Sequence, residues 1–389
     1  MTWVIFAFPN SWYSGRNHSR QGSSRCAFVR GRSESDLFQH LALACFFLVQ
    51  PSAASEPDPA ALFATHCSSC HGPGGNLNPD SPVVQGLGVV PADFNDPLFN
   101  SREPGHDWKM VIEHGGAALG LSEKMPAFGD TLTEHEIESV VTYLKGIPGE
   151  HDYPDGALNL FLPLNTIKAF PEDEVVWKSD YVKRDGVDVW ENVFELEKRV
   201  GKRGQVLVEL VQSLEDGDSD LDKIEVGGKY VVHTNAQNTS ILTAGSKFEF
   251  PIHGGEEEWL PYLAFGRILN SEFTFQGHTR AKLPFNDFGD GSFEVAGIVH
   301  WTHSPWPRNA FPGLEVLAEF PFDRGNGPNR SDFAEVSIIP QVRFGLTKGG
   351  HVALNMGVQI PVNERDRFDY VAQMNLLWDF ADGPFWKGW

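Results

Sequence analysis

The stretch "AEVSIIPQVRFGL", residues 334–346, decides the fold of the larger part of this chain. Ala334, Val336, Ile338, Val342, Phe344 and Leu346 take alternate positions, and Glu335, Ser337, Gln341, Arg343 and Gly345 fill the positions between. A period of two sends these sets to opposite faces of a β-strand. "HVALNMGVQIPV" (351–362) repeats the pattern, with Val352, Leu354, Met356, Val358 and Ile360 against His351, Asn355, Gly357 and Gln359. So does "YVAQMNLLWDF" (370–380), where Tyr370, Ala372, Met374, Leu376, Trp378 and Phe380 oppose Gln373, Asn375 and Asp379. The turns "TKGG" and "NERD" join the three as hairpins.

Working back from there, alternation recurs near 190–200, 203–213, 222–234, 239–252, 258–268, 270–285, 292–302 and 313–323, which makes eleven candidate strands. The 258–268 stretch is the weakest, because Pro261 interrupts it. Two architectures fit: a membrane barrel with apolar faces turned to lipid, or a soluble β-sandwich or barrel with them packed inside. Three features favour the membrane barrel. The strands are long enough to cross when tilted. They run as uninterrupted hairpins. One face is polar, with Thr274, Gln276, His278, Arg280 and Lys282 on one strand and Lys247 and Glu249 on another. Trp301, Trp306, Trp378 and Phe380 near strand ends suit interfacial girdles. Single-chain membrane barrels have even strand numbers, so the expectation is an antiparallel barrel of about 10–12 strands over 188–380. Such a barrel is narrow enough for side chains to fill much of it. Glu249, Glu294, Glu315, Glu319 and Glu335 are expected to be partners of Lys247, Arg280 and Arg343 rather than a catalytic pair. Residues 149–187, rich in Gly, Pro and acidic residues, read as a linker with local docking through "LNLFLPL".

Upstream of the linker, "EKMPAFGDTLTEHEIESVVTYLKG" (123–146) predicts a helix. Thr133 and Glu136 form a capping box, and Ile137, Val140, Val141 and Leu144 make one apolar face. Further upstream lies "ATHCSSCHGPGG" (64–75). C-x-x-C-H is the attachment signature of c-type haem: two thiols add across the porphyrin vinyl groups and the adjacent imidazole faces the iron. A zinc knuckle wants a second ligand pair and a redox dithiol wants a βαβ context; neither is present. Met125, in a loop stiffened by Pro126, is the expected sixth ligand, ahead of Met110, His106 and His114. Met110 reads as core.

Residues 57–148 resemble a single-haem class I cytochrome c of the small bacterial type, through "LFATHCSSCHGPGG", "PADFNDP" and "MPAFGDTLTEHEIESVVTYLKGIP". The resemblance implies an all-α domain over 56–148 with one covalent haem c, Cys67 and Cys70 carrying it, His71 proximal and Met125 distal. It also implies a proline carbonyl that steadies His71, from Pro79 or Pro82. The strand half resembles bacterial outer-membrane barrels of the small-molecule transporter type, notably in "MGVQIPVN" and "LLWDF". It departs from them in the tail "ADGPFWKGW" (381–389), which continues past Phe380.

The four cysteines of the 389 residues are Cys26, Cys45, Cys67 and Cys70. "LALACFFLV" (41–49), preceded by arginines and followed by "QPSAAS", reads as a secretory signal within an N-terminal extension over 1–55. The net charge of -21 opposes nucleic-acid binding and suits a basic redox partner in the periplasm. No apolar run reaches the length of a helical membrane span. The expected function is therefore electron transfer at the periplasmic side of an outer membrane, with no catalytic site. The alternative is an outer-membrane small-molecule transporter whose haem domain senses or gates, and a third reading is a subunit of an oxidoreductase.

Overall fold

A computed structural model of the protein describes residues 58–184, 187–215, 218–235, 237–322, 334–363 and 368–380. The expected signal segment with Cys26 and Cys45, and the tail 381–389, lie outside the described residues.

The first domain is helical: α1 (Pro59–His66), α2 (Ser68–His71), α3 (Pro82–Leu87), α4 (Pro97–Arg102), α5 (Gly105–His114) and α6 (Glu134–Gly146). Three of them start the same way. Asp58, Ser81 and Asp96 accept a backbone N–H from the first turn, and a proline follows at once. Proline costs nothing there, because that N–H has no helical partner. At α6 both bonds of the Thr133–Glu136 capping box form. Ile137, Val140, Val141 and Leu144 are buried and join Phe63, Phe94, Trp108, Ile112 and Leu132 in one core. Phe63 leans on Tyr143, ring centroids 5.6 Å apart, which packs α1 across α6. Asn100, 1% exposed, ties α4 to this core by donating to the carbonyls of Phe94 (3.1 Å) and Leu144 (2.8 Å). Met110 is buried, as expected of a core residue.

The second domain is a closed antiparallel barrel of twelve strands among the described residues, each paired with its sequence neighbours and β1 with β12. Its strands are β1 (Glu174–Arg184), β2 (Val187–Val200), β3 (Gly204–Glu215), β4 (Asp218–Thr234), β5 (Ser240–Pro251), β6 (Glu258–Ile268), β7 (Phe273–Pro284), β8 (Ser292–Trp301), β9 (Ala310–Pro321), β10 (Glu335–Gly345), β11 (Val352–Pro361) and β12 (Tyr370–Asp379).

Two expectations change here. The twelfth strand is β1, which lies inside the stretch expected to be linker, so the barrel starts at Glu174 rather than at 188. Its "EVVWKSDYVKR" alternates weakly because charge appears on both faces. The doubtful 258–268 stretch is a true strand. Pro261 sits opposite Ser246 on β5, while the β6–β7 ladder skips from Trp259 to Tyr262. A residue without an N–H is tolerated where the ladder breaks.

The barrel is inverted relative to a soluble protein. Phe194, Leu210, Leu263, Leu314, Val316, Ile338, Met356 and Ile360 are exposed on its outer wall. Glu209, Gln276, Glu294, Glu315, Gln341, Asn355 and Asn375 are buried inside. Water penalises such an outer wall at roughly 25 cal/mol per Å² of apolar surface, and hydrocarbon does not. This decides between the two architectures left open by the alternation. Trp301 is exposed at one end of β8, as a girdle requires, but Trp306 lies in the β8–β9 connection and Phe380 is only 2% exposed.

The lumen is occupied by the chain itself. Residues 149–173 enter at the end where β1 starts and β12 finishes, reach inward to Asn165–Ile167, and return to β1. Leu158, Leu160, Leu164, Ala169 and Phe170 are buried, so the docking expected of "LNLFLPL" extends to a whole plug. Its backbone is bonded by lumenal side chains. Gln276 donates to Phe161 O (2.7 Å), Asn375 to Pro163 O (3.2 Å) and Thr243 to Ala169 O (2.6 Å), and Ile167 N donates to His278 Nδ1 (3.0 Å). Beyond the plug, Lys247 bridges Glu209 (2.6 Å) and Glu225 (2.8 Å), Lys178 bridges Glu195 (2.9 Å) and Glu209 (3.2 Å), and Arg280 meets Glu294 (2.7 Å).

The expected charge partners are thus only partly right. Glu294 and Glu319 are paired, through Arg280 and Lys282. Glu249 pairs with Lys223 rather than Lys247. Glu315 binds the plug, and no ion pair engages Arg343 among the described residues.

The helical domain stands at the end of the barrel where the plug enters. Lys348 Nζ, on the β10–β11 turn, donates to Ala117 O (3.0 Å). His114 stacks on Trp306 (5.0 Å), and Arg203 Nε donates to Asp152 O (2.9 Å).

Candidate functional site

Cys67 ends α1, and Cys70 and His71 lie on the single turn of α2. Both cysteines are free thiols, half-buried. Burial, and then the neighbouring Cys70, push the Cys67 thiol up to about 11. A reactive dithiol needs the opposite shift, so a thiol–disulfide role fits this pair poorly.

His71 Nδ1 lies 3.1 Å from the carbonyl oxygen of Ala92. A carbonyl only accepts, so the ring carries its proton on Nδ1 and leaves the Nε2 lone pair for a metal. Phe94 packs on the same ring, centroids 4.8 Å apart. Burial lowers the tendency of His71 to protonate, with the Ala92 bond acting in the opposite sense; the neutral imidazole is the ligating form. Gly72, next in the chain, has φ +81°, and a Cβ there would fall 1.9 Å from Asn76 O. Only glycine lets the chain turn away directly behind the histidine.

The orienting carbonyl therefore belongs to Ala92, not to Pro79 or Pro82. Pro82 is the first residue of α3, so its carbonyl is committed to the helix. Ala92 lies in an extended stretch whose carbonyls have no ladder. The sequence holds a faint sign of it: Ala92 follows Pro91 within "PADFNDP".

Met125 sits on the loop after α5. Its carbonyl accepts from Gly116 N (3.0 Å) and its amide donates to Ser122 O (3.2 Å). Its side chain is half-buried and packs, with Cys67, Ala92 and Phe128, on the core of Phe63, Phe94, Trp108 and Ile112. The fold thus brings Met125, distant in sequence, to the same cluster as Cys67 and His71. His114 points away to Trp306, and His106 pairs with Asp107 (3.0 Å) on the surface; neither joins the cluster.

The donor set fits a covalent haem. It offers two free thiols at attachment spacing, one imidazole with a fixed tautomer, and one thioether on the same core. No group of three or more His, Cys, Asp or Glu able to hold a metal ion by itself occurs among the described residues.

Comparison with known proteins agrees for this part of the chain. Residues 54–144 match the family described as cytochrome c oxidase, cbb3-type, subunit III, and this region is a c-type cytochrome domain. No curated protein matches the chain. Among solved structures the barrel is similar to the KdgM porin, with 11% identity over 53% of this chain and 99% of that one and a TM-score of 0.38. It is also similar to an outer membrane channel from Pseudomonas putida F1, with 12% identity over 57% and 100% and a TM-score of 0.38.

Proposed function

We propose that this protein carries electrons through one haem c in a domain held at the periplasmic mouth of a plugged outer-membrane barrel. The observation that carries the reading is the His71–Ala92 bond directly behind a C-x-x-C-H attachment site. It presents Nε2, and only Nε2, to an iron. The bound haem supplies one-electron Fe(III)/Fe(II) chemistry. Cys67 and Cys70 would hold it covalently, and His71 and Met125 would be its two protein ligands, which would leave the iron no place for a substrate. Phe94 packs on the His71 ring and Phe128 on the same core as Met125. A thioether and an imidazole as the iron's ligands would raise the reduction potential.

Outer-membrane placement rests on the exposed apolar wall and on the closed, even-numbered strand set. The periplasmic side is assigned to the end holding the helical domain, because both ends of the strand set lie there. The transporter alternative meets a lumen whose entrance is filled by 149–173 and bonded strand by strand. The chain's acidic balance points to a basic redox partner.

The test uses full-length protein extracted from membranes. Its visible spectrum shifts on dithionite, and the reduced form takes up no carbon monoxide. Met125→Ala keeps the covalent haem and gains carbon monoxide binding. A wild-type protein that binds carbon monoxide readily would refute the closed iron.

A further inference from the structure

The plug, the barrel mouth and the α4–α5 corner enclose a cavity of about 160 Å³. Its walls include Arg343, Arg199, Lys168, Phe161, Phe311 and Ser304. Arg343 is the unusual member. It is 9% exposed, its Nη1 has no hydrogen-bond partner, and its guanidinium lies over the ring face of Phe161, 4.3 Å away. Contact with a ring face leaves the N–H donors unengaged. A guanidinium has five donors and does not shed its charge, and burying it without an acceptor is strongly unfavourable.

Glu174 is the one carboxylate whose charge favours the guanidinium, and none of those around the cavity accepts a hydrogen bond from it. Lys168 engages Glu172, Arg102 lies 3.8 Å from Asp379, and His106 lies 3.0 Å from Asp107. Glu174 is buried with one oxygen unpartnered, yet no ion pair joins it to Arg343. Glu103, on the cytochrome side, is raised to about 7 by burial and by Asp107.

We propose that this cavity binds a short-chain monocarboxylate through Arg343. The planar two-oxygen end of a carboxylate matches the guanidinium fork. The apolar walls of Leu160, Phe161, Phe311 and Leu377 accept a short alkyl group, and the volume equals that of about five waters. Ser304 and the exposed Pro305 mark the way in from the periplasmic side. The inference is independent of the haem, since none of its residues touches the haem ligands.

Calorimetric titration of the full-length protein in detergent tests it, with acetate and propionate as probes. Sodium chloride at matched ionic strength and acetamide serve as controls. Saturable binding at one site per chain is expected for both carboxylates and for neither control. Arg343→Gln weakens it at least tenfold. Ser304→Phe, which narrows the entrance without touching the guanidinium, weakens it as well and serves if Arg343→Gln fails to fold. No saturable carboxylate binding in the wild type overturns the proposal. So does chloride binding as tightly as acetate, or affinity unchanged in both variants.

Discussion

Replacement of Glu315 by alanine should release the tip of the plug. Glu315 is fully buried and is the sole acceptor for several plug donors. Asn165 N reaches it at 3.2 Å and Thr166 Oγ1 at 2.5 Å, Thr166 N also donates to it, and Gln341 Nε2 braces it from β10 at 2.7 Å. Each bond lost from a buried donor costs about 1–3 kcal/mol when the donor is left unsatisfied. Four donors lose their acceptor, and water entering the vacated space recovers part of the loss. The net cost for opening the tip is about 4–6 kcal/mol. At about 1.4 kcal/mol per tenfold, amide exchange in 160–168 should accelerate roughly a thousandfold or more. Hydrogen exchange read by mass spectrometry on the detergent-solubilised chain measures this directly. Exchange in β3 and β4, which Glu315 does not touch, is the internal control. Acceleration of less than tenfold in the plug would refute the claim that Glu315 holds it.

Other consequences follow from single contacts. Asn100→Ala removes two bonds from a buried side chain, so thermal unfolding of the helical domain should lose about 1–3 kcal/mol while the barrel's heat-modifiable gel migration stays unchanged. Glu103, raised to about 7, is favoured in its protonated form by folding. Its contribution to stability is therefore present at low pH and lost as pH rises from the ordinary carboxylate range through 7. Melting of the helical domain followed against pH should show that decline in the wild type, and Glu103→Gln should flatten it. Combining Glu315→Ala with deletion of 160–168 should produce conductance in planar bilayers where the wild type has none; a conducting wild type would contradict the filled lumen.

The sequence revealed the c-type cytochrome domain, because its signals are local. Attachment spacing, a capping box and a four-residue apolar face survive in one dimension. Alternation likewise revealed the strands, and Pro261 misled only because the position of a ladder break is not written in the strand that contains it. The side of the sheet facing apolar surroundings was not decidable from period two, since a lipid-facing wall and a packed core alternate alike. Exposure of Leu314, Val316 and Ile360 against burial of Glu315 and Asn355 decides it. The plug was hidden for a different reason. Its partners Gln276, His278, Glu315 and Asn375 follow it by more than 100 residues, and each looks like an ordinary lumenal residue on its own strand. Ala92 escaped because a backbone carbonyl carries no side-chain signature. Arg343 was expected to pair directly with a carboxylate on the polar face, and only the three-dimensional arrangement leaves Glu174 acting on it without a direct ion pair.

The central claim is most directly tested by counting haem on the purified full-length chain after acid–acetone extraction, then reducing the sample. One haem per polypeptide that resists extraction and changes its visible bands on adding dithionite is the predicted result. A colourless chain, or a haem that leaves with the solvent, would contradict it.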